Sequence, residues 1–374
     1  MGSGNEANMD LWEAAIDGTR SHVLFPEIPL KTSFGDWTAN GKLFFFFRRE
    51  GNANQLWVRR ESKLPLGLGG SRPTLLYSGP LEIQAPVSSR DSKELYVIGS
   101  LPRAELSVYD STTSQVVPFL NGIQASFVTF SPDRQWIAYT SYPDGALWKS
   151  RIDGSEKTQL TFAPMVALLP RWSPDGKFIV FMEWDASEYH SVYIVPSAGG
   201  QPRLLVTKAT GANDPTWSPD GMSIAYGGTA GQPSEIDILD MRTMGSNRIP
   251  DSQNYYSPRW SPDGKYIAAL TNSLESKMVL YSFAEQKWRS ISAGQGLDYP
   301  AWSHDSRFVY ATRGPNVVRI DVERDTVDLV ANLENVNLTA FIHLLGWFDL
   351  TPDDRIMTMR NTSTQDIYAL QLEY

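Results

Sequence analysis

Trp172-Ser173-Pro174-Asp175-Gly176, followed at once by Lys177-Phe178-Ile179-Val180-Phe181-Met182, is the stretch whose reading decides the fold. Proline presets φ near about −65° at the second position of a turn, aspartate tolerates the third and can bond back to turn amides, and glycine supplies the positive φ that closes a type I turn with a bulge. The block therefore turns one strand tightly into the next. The run behind it is apolar on both sides, as is Lys42 to Phe47, which is the pattern of a strand covered on both faces of its sheet.

The block recurs. Trp217-Ser218-Pro219-Asp220-Gly221 and Trp260-Ser261-Pro262-Asp263-Gly264 are near-perfect copies, and Phe130-Ser131-Pro132-Asp133 and Trp302-Ser303-His304-Asp305 are degraded ones. Weaker copies are Trp37-Thr38-Ala39-Asn40-Gly41, Ser88-Ser89-Arg90-Asp91 and Leu350-Thr351-Pro352-Asp353. The Ser/Thr markers at 38, 89, 131, 173, 218, 261, 303 and 351 are 51, 42, 42, 45, 43, 42 and 48 residues apart. A propeller blade of four strands needs roughly 40–45 residues, more than an ankyrin, tetratricopeptide or leucine-rich repeat. A second hairpin follows each first one, as in Leu147 to Gly154 with Thr158 to Thr161, or Val192 to Val195 with Arg203 to Val206. No segment reads convincingly as a helix. The expected fold is all-β: a single β-propeller of four-stranded antiparallel blades, eight in number, or seven if the copy near Ser89 is not a true blade. The recurring indoles would fill the gaps between blades.

After the marker at 351 the chain offers strands over Arg355–Arg360 and Asp366–Tyr374 but no fourth strand. Ser21-His22-Val23-Leu24-Phe25 reads as an orphan outer strand. The expected closure joins this N-terminal strand to three C-terminal ones, which removes the exposed edges of an open ring. Leu11 to Gly18 also reads as a third-strand segment, one more than eight blades need; residues 5–16 could instead form a short helix. Residues 1–9, opening on Met1-Gly2-Ser3-Gly4, read as a vector-derived or flexible leader, and 10–374 as one propeller domain.

Bulk properties narrow the chemistry. The net charge of −9 argues against nucleic acid as a direct partner. The nearest basic patch, Arg48, Arg49, Arg59 and Arg60, is scattered over different faces by strand alternation. The absence of cysteine excludes disulfides, zinc-thiolate sites and thiol nucleophiles. No stretch of about 18 uninterrupted apolar residues suggests a membrane span.

The catalytic inventory is thin. There are four histidines: His22 on the expected closing strand, His304 in a repeat turn, and His190 and His343 at one end of the propeller. Two histidines fall short of the three or more ligands usual for a His-based metal site, so no metal or cofactor is expected. There is no Gly-x-Ser-x-Gly elbow and no phosphate-binding loop. Gly67, Gly69 and Gly70 lack the Lys and Ser/Thr of such a loop, and Asp321, Glu323, Asp325 and Asp328 form a solvated acidic turn. The turn carboxylates Asp133, Asp175, Asp220, Asp263, Asp305 and Asp353 are equivalent copies and read as structural. Propellers bind ligands over the central channel, using residues before the innermost strand and in the loops after the second. Here those are Asp36, Arg48, Arg49, Glu183, Trp184, Asp185, His190, Asn213, Asp214, Tyr255, Tyr256, Asp298, Tyr299, His343 and Arg360. Aromatics mixed with carboxylates at a rim suit a peptide or a sugar.

The Ser-Pro-Asp-Gly blocks resemble the WD40-like (PD40) repeats of the TolB-type propeller family over nearly the whole chain. The stretch from Leu350-Thr351-Pro352-Asp353-Asp354 to Asp366-Ile367-Tyr368-Ala369-Leu370 resembles the C-terminus of bacterial proteins in which a propeller follows a CadC-type winged helix or a Ser/Thr kinase domain. The resemblance implies a non-catalytic binding or sensing module of a larger signalling or regulatory protein, monomeric, with a protein or peptide on the top face; a periplasmic location would follow if a winged helix and membrane span precede it. The alternative is a carbohydrate-active enzyme, lyase or glycosidase, with a site over the channel. That reading requires several histidines around a metal, or converging carboxylates.

Overall fold

A computed structural model describes residues 12–14, 17–19, 21–23, 35–50, 53–60, 71–184, 190–207, 212–228, 234–273, 275–341 and 344–372. The described residues are all-β apart from one short 3-10 turn at Leu120–Gly122. The chain forms two compact units, residues 1–103 with 363–374 (unit 1) and residues 104–362 (unit 2). No helix among the described residues is long and apolar enough to cross a membrane.

Unit 2 holds six four-stranded antiparallel sheets, each conveniently named by its turn. The Ser131 sheet runs Ala125–Phe130, Trp136–Ser141, Leu147–Arg151, Thr158–Gln159, and the Ser173 sheet runs Val166–Trp172, Phe178–Trp184, Ser191–Pro196, Arg203–Val206. The Ser218 sheet is Asn213–Trp217, Ser223–Gly227, Asp237–Asp240, Ser246–Arg248; the Ser261 sheet is Tyr255–Trp260, Tyr266–Thr271, Met278–Ser282, Lys287–Ser290. The Ser303 sheet is Leu297–Trp302, Phe308–Arg313, Asn316–Asp321, Thr326–Asn332. The sixth takes its two inner strands, Phe348–Leu350 and Ile356–Asn361, from the C-terminal side of Thr351 and its two outer strands, Ala104–Asp110 and Gln115–Pro118, from the beginning of the unit. Each sheet packs on the next, and the Thr351 sheet packs on both the Ser303 and the Ser131 sheets, so the ring closes within the unit.

This corrects the expected closure. The strand Thr364–Gln371 does not continue the last blade but pairs with Glu94–Leu101 in unit 1, and His22–Val23 pairs with Trp12–Glu13. Unit 2 also closes on six sheets rather than eight or seven. The physical reason lies in side-chain alternation. Ala104, Leu106 and Val108 are buried in one cluster with Met357, Met359 and Phe127, whereas Thr364–Gln371 is almost wholly exposed, with Ile367 at 75%. An amphipathic strand whose alternate residues are apolar fills a position between two sheets; one opening Thr-Gln-Asp does not.

Unit 1 holds the remaining two turns. Gly35–Trp37, Leu43–Glu50, Ala53–Arg60 and Thr74–Gly79 form a four-stranded sheet around the Thr38 turn, and Glu82–Ser88, Glu94–Leu101 and Thr364–Gln371 form a three-stranded one around Ser89. Leu43, Phe45, Leu56, Leu95 and Val97 make a common core.

The turn works as its residues require. In seven of the eight copies the Ser or Thr Oγ donates to the Asp two residues on, for example Ser173 to Asp175 at 2.6 Å and Thr351 to Asp353 at 2.5 Å, and in the Thr38 copy it donates to Asn40 at 2.8 Å. In the Ser173 copy that Oγ also accepts the N–H of Phe178 at 3.0 Å, and the Asp accepts the N–H of Lys177 at 3.1 Å. Gly176 has φ of 71°, and the positive φ persists where glycine is missing, at Arg134 (57°) and Ser306 (61°). The indoles tie neighbouring sheets together: Trp172, Trp217 and Trp302 donate Nε1 to the carbonyls of Thr129, Arg171 and Arg259 at 3.3, 3.2 and 2.8 Å.

Candidate functional site: the channel of unit 2

The innermost strands of unit 2 share a device that aims particular side chains at the axis. Five of the six carry a register shift, between Ser126 and Thr129, Leu168 and Arg171, Asn213 and Thr216, Tyr256 and Arg259, and Asp298 and Ala301, while Phe348–Leu350 pairs in unbroken register. Within each shift one residue takes positive φ: Phe127, Leu169, Asp214, Ser257 and Tyr299. Four shifts continue with proline, at 170, 215, 258 and 300, because a bulged residue leaves the ladder and needs no N–H there. The next residue faces the channel. Thr129, Arg171, Thr216, Arg259, Ala301 and Asp349, one from each sheet, line a single cavity of about 200 Å³.

Two ion pairs organise this channel. Arg171 Nη1 lies 3.0 Å from Asp349 Oδ2, and Arg259 Nη1 lies 2.7 Å from Asp214 Oδ1. Asp214 Oδ2 accepts the Ser257 hydroxyl at 2.5 Å, and both Asp214 and Arg259 are buried. Burial holds the Arg171 guanidinium below its ordinary value, with Asp349 opposing that shift.

Beside Asp214 lies Asp298, exposed to solvent; its Oδ1 accepts the N–H of Tyr299 at 2.9 Å. Desolvation raises the Asp298 carboxyl above the usual range, the Tyr299 N–H opposes the rise, and neighbouring Asp214 adds to it. Burial, reinforced by Asp298, likewise pushes the hydroxyls of Tyr256 and Tyr299 up, so both are neutral donors. Phe127, Leu168, Leu169 and Trp347 are buried together in an apolar cluster, with Tyr299 packed against it.

Of the residues picked from sequence, the structure brings together Asp214, Tyr256, Asp298 and Tyr299. Asn213 stands next to them, half-buried, its Oδ1 without a hydrogen-bond partner among the described residues. Tyr255 turns away, edge-on to Trp288 at 4.8 Å. Arg360 pairs with Glu105 across the closing ladder. Glu183 and Trp184 are half-buried at the end of their strand and His190 is buried, while Asp185 and His343 lie outside the described residues. Asp36, Arg48 and Arg49 belong to unit 1, where Asp36 is exposed and Arg48 and Arg49 pair in register with Gln55 and Asn54. Arg59, also in unit 1, is buried. Among the described residues no group of three or more His, Asp or Glu could hold a metal ion. Sequence reading missed Arg171, Arg259, Ser257 and Asp349. The signal was present: Pro170-Arg171-Trp172 and Pro258-Arg259-Trp260 set a charge inside an otherwise buried strand, at the position between proline and tryptophan.

The TolB β-propeller domain model (PD40) matches residues 91–336. The chain is 26% identical over 205 residues to the Bacillus subtilis (strain 168) protein named uncharacterized peptidase YuxL, covering 54% of this chain and 29% of that one. It is 30% identical over 100 residues to the Tol-Pal system protein TolB of Gluconobacter oxydans (strain 621H), covering 27% and 22%. It thus spans less than a third of the length of either relative. A solved TolB-like chain from Agrobacterium tumefaciens superposes with a TM-score of 0.55 at 19% identity, covering 70% of this chain and 98% of that chain, a likeness of fold. The family model covers more than half the chain and includes five of the six turns that build unit 2, so this chain belongs to the TolB-type (PD40) β-propeller family.

Proposed function

We propose that the chain is a non-catalytic binding propeller, the interaction module of a larger bacterial signalling or regulatory protein, and that unit 2 takes a basic peptide segment of a partner protein where Asp298, Tyr256 and Tyr299 meet. The observation that supports this is the state of Asp298. Asp298 is exposed to solvent and in no ion pair among the described residues, the neighbouring cation Arg259 is already engaged by Asp214, and partial desolvation together with Asp214 raises its carboxyl above the ordinary value. A ligand ammonium or guanidinium would restore the ionised carboxylate, and two neutral tyrosines beside it supply hydroxyls and ring faces for a cation.

A glycosidase-like reading needs two carboxylates free to exchange protons. Asp214 is held between Arg259 and Ser257, and Asp349 is held by Arg171, which favours binding over catalysis. The test is selection from a displayed random peptide library on the full chain. Enriched sequences should carry Lys or Arg, and Asp298→Asn should weaken them at least tenfold. Enrichment of sequences without a basic residue, or binding indifferent to D298N, would refute the reading.

A further inference from the structure

We propose that the turn-side end of the unit 2 channel is a separate binding site, for a carboxylate carried on an extended peptide. The axial cavity lined by Arg171 and Arg259 continues into one of about 370 Å³ that also takes Thr129, Arg171 and Thr216 as its floor. Its walls are Trp172, Trp217 and Trp260 with Pro132, Pro174, Pro219 and Pro262, contributed by four successive sheets. It therefore lies on the axis, at the end where the Ser-Pro-Asp-Gly turns sit. The Asp298 cluster lies further along the inner strands from those turns.

Hydrogen-bond bookkeeping decides the chemistry. The acceptors here already face donors or cations: Asp349 takes the Leu350 N–H at 2.8 Å and Arg171 at 3.0 Å, while Asp214 Oδ2 takes the Ser257 hydroxyl and its Oδ1 is ion-paired at 2.7 Å with Arg259 without a hydrogen bond. The donors are not. Among the described residues Arg171 bonds through Nη1 alone, to Asp349 and at 3.5 Å to its neighbour Pro170. Among the described residues Arg259 likewise uses only Nη1, hydrogen-bonded to Pro258 O at 2.9 Å and ion-paired with Asp214, and its buried Nε has no hydrogen-bond partner there. A guanidinium offers five N–H groups, so two of them leave a surplus of donors around one cavity, with the Thr129 and Thr216 hydroxyls beside them. A ligand that completes this set must bring acceptors, and a planar carboxylate matches a guanidinium fork. Tryptophan and proline walls suit the flat apolar body of an extended peptide, and the carboxylate can come from its C-terminus or from an acidic side chain.

Isothermal titration of the full chain with three peptides tests this. Ac-Ala-Leu-Gln-Leu-Ala-OH offers only a terminal carboxylate, Ac-Ala-Leu-Glu-Leu-Ala-NH2 only a side-chain one, and Ac-Ala-Leu-Gln-Leu-Ala-NH2 none. One or both of the first two should bind, with a change in indole fluorescence, and the third should bind at least tenfold more weakly. The pairwise change Arg171→Gln with Asp349→Asn retains a hydrogen bond while removing the charges, and should weaken the acidic peptides at least tenfold. Thr129→Val with Thr216→Val should weaken them in a protein whose ion pairs are intact. Asp298→Asn should leave them unchanged, which separates this site from the one proposed above. Equal binding of the neutral peptide, no binding of either acidic one, or indifference to both double variants would overturn the proposal.

Discussion

Replacing Ser173 by alanine removes one oxygen that makes two bonds. Its hydroxyl donates to Asp175 at 2.6 Å and accepts the N–H of Phe178 at 3.0 Å, in a residue only 3% exposed. A hydrogen bond contributes about 1 kcal/mol net, and an amide left without its acceptor costs about 1–2 kcal/mol more. The loss should come to roughly 2–3 kcal/mol, or on the order of 5–10 °C in Tm for a unit of this size. Urea unfolding followed by tryptophan fluorescence measures it, since Trp172 and Trp217 stand at adjacent turns. Ser173→Thr should recover nearly all of the loss, because Thr351 makes the same bond to Asp353 and Thr38 the equivalent one to Asn40. Asp175→Asn keeps an acceptor and should cost less than Ser173→Ala. A loss below about 0.5 kcal/mol, or a threonine variant as unstable as the alanine one, would refute the claim that the hydroxyl closes the turn.

Gly176→Ala should destabilise by about 1 kcal/mol, because its φ of 71° is costly for an L-residue although only Pro132 approaches, at 3.8 Å; Arg134→Gly, at the equivalent position, should be neutral to slightly stabilising by the same denaturation assay. Acidification should destabilise the propeller. Asp133, Asp175, Asp220, Asp305 and Asp353 titrate below the ordinary carboxyl value, chiefly because of the Ser or Thr hydroxyl two residues back. Their contribution is complete above the unfolded value of about 4 and is lost as pH falls through the lower folded values, so Tm recorded from pH 6 to pH 2.5 should decline mainly below about pH 4. Asp298→Asn should raise stability slightly, of order 0.5 kcal/mol after screening by channel water, because it relieves a disfavoured charge while keeping the acceptor for Tyr299 N–H.

What could be read in advance follows from where the information lies. The Ser-Pro-Asp-Gly turn was legible because every part of its geometry is local: a fixed φ, a carboxylate two residues from its donor, a positive φ at the end. Period and strand type followed from it. The ring closure was not legible. Leu101-Pro102-Arg103-Ala104 and Asn361-Thr362-Ser363-Thr364 both look like ordinary short connections between neighbouring strands, yet in each case the two flanking strands enter different sheets. Only the burial of Leu106 and Val108 against Met357 and Met359 separates the alternatives, and that contact spans some 250 residues of sequence. The channel was half legible. Asp214, Tyr256, Asp298 and Tyr299 stand out as polar residues ahead of an apolar strand, whereas Arg171 and Arg259 sit inside one and read as irregularities in a buried run. The bulge that points them at the axis appears in sequence only as the preceding proline.

The most direct test of the account is a disulfide across the closing ladder. Ser107 and Thr358 are fully buried, stand directly opposite each other, and are close to isosteric with cysteine. Facing residues in an antiparallel ladder have Cα atoms about 4.5–5.5 Å apart, within the range a disulfide spans. The chain has no cysteine of its own, so Ser107→Cys with Thr358→Cys gives an unambiguous readout by mass and by gel mobility under non-reducing conditions. The account predicts rapid oxidation to a single intramolecular bond and a higher Tm than the reduced form. Two thiols that stay reduced in the folded protein, or that link only between molecules, would contradict a ring closed by residues 104–118.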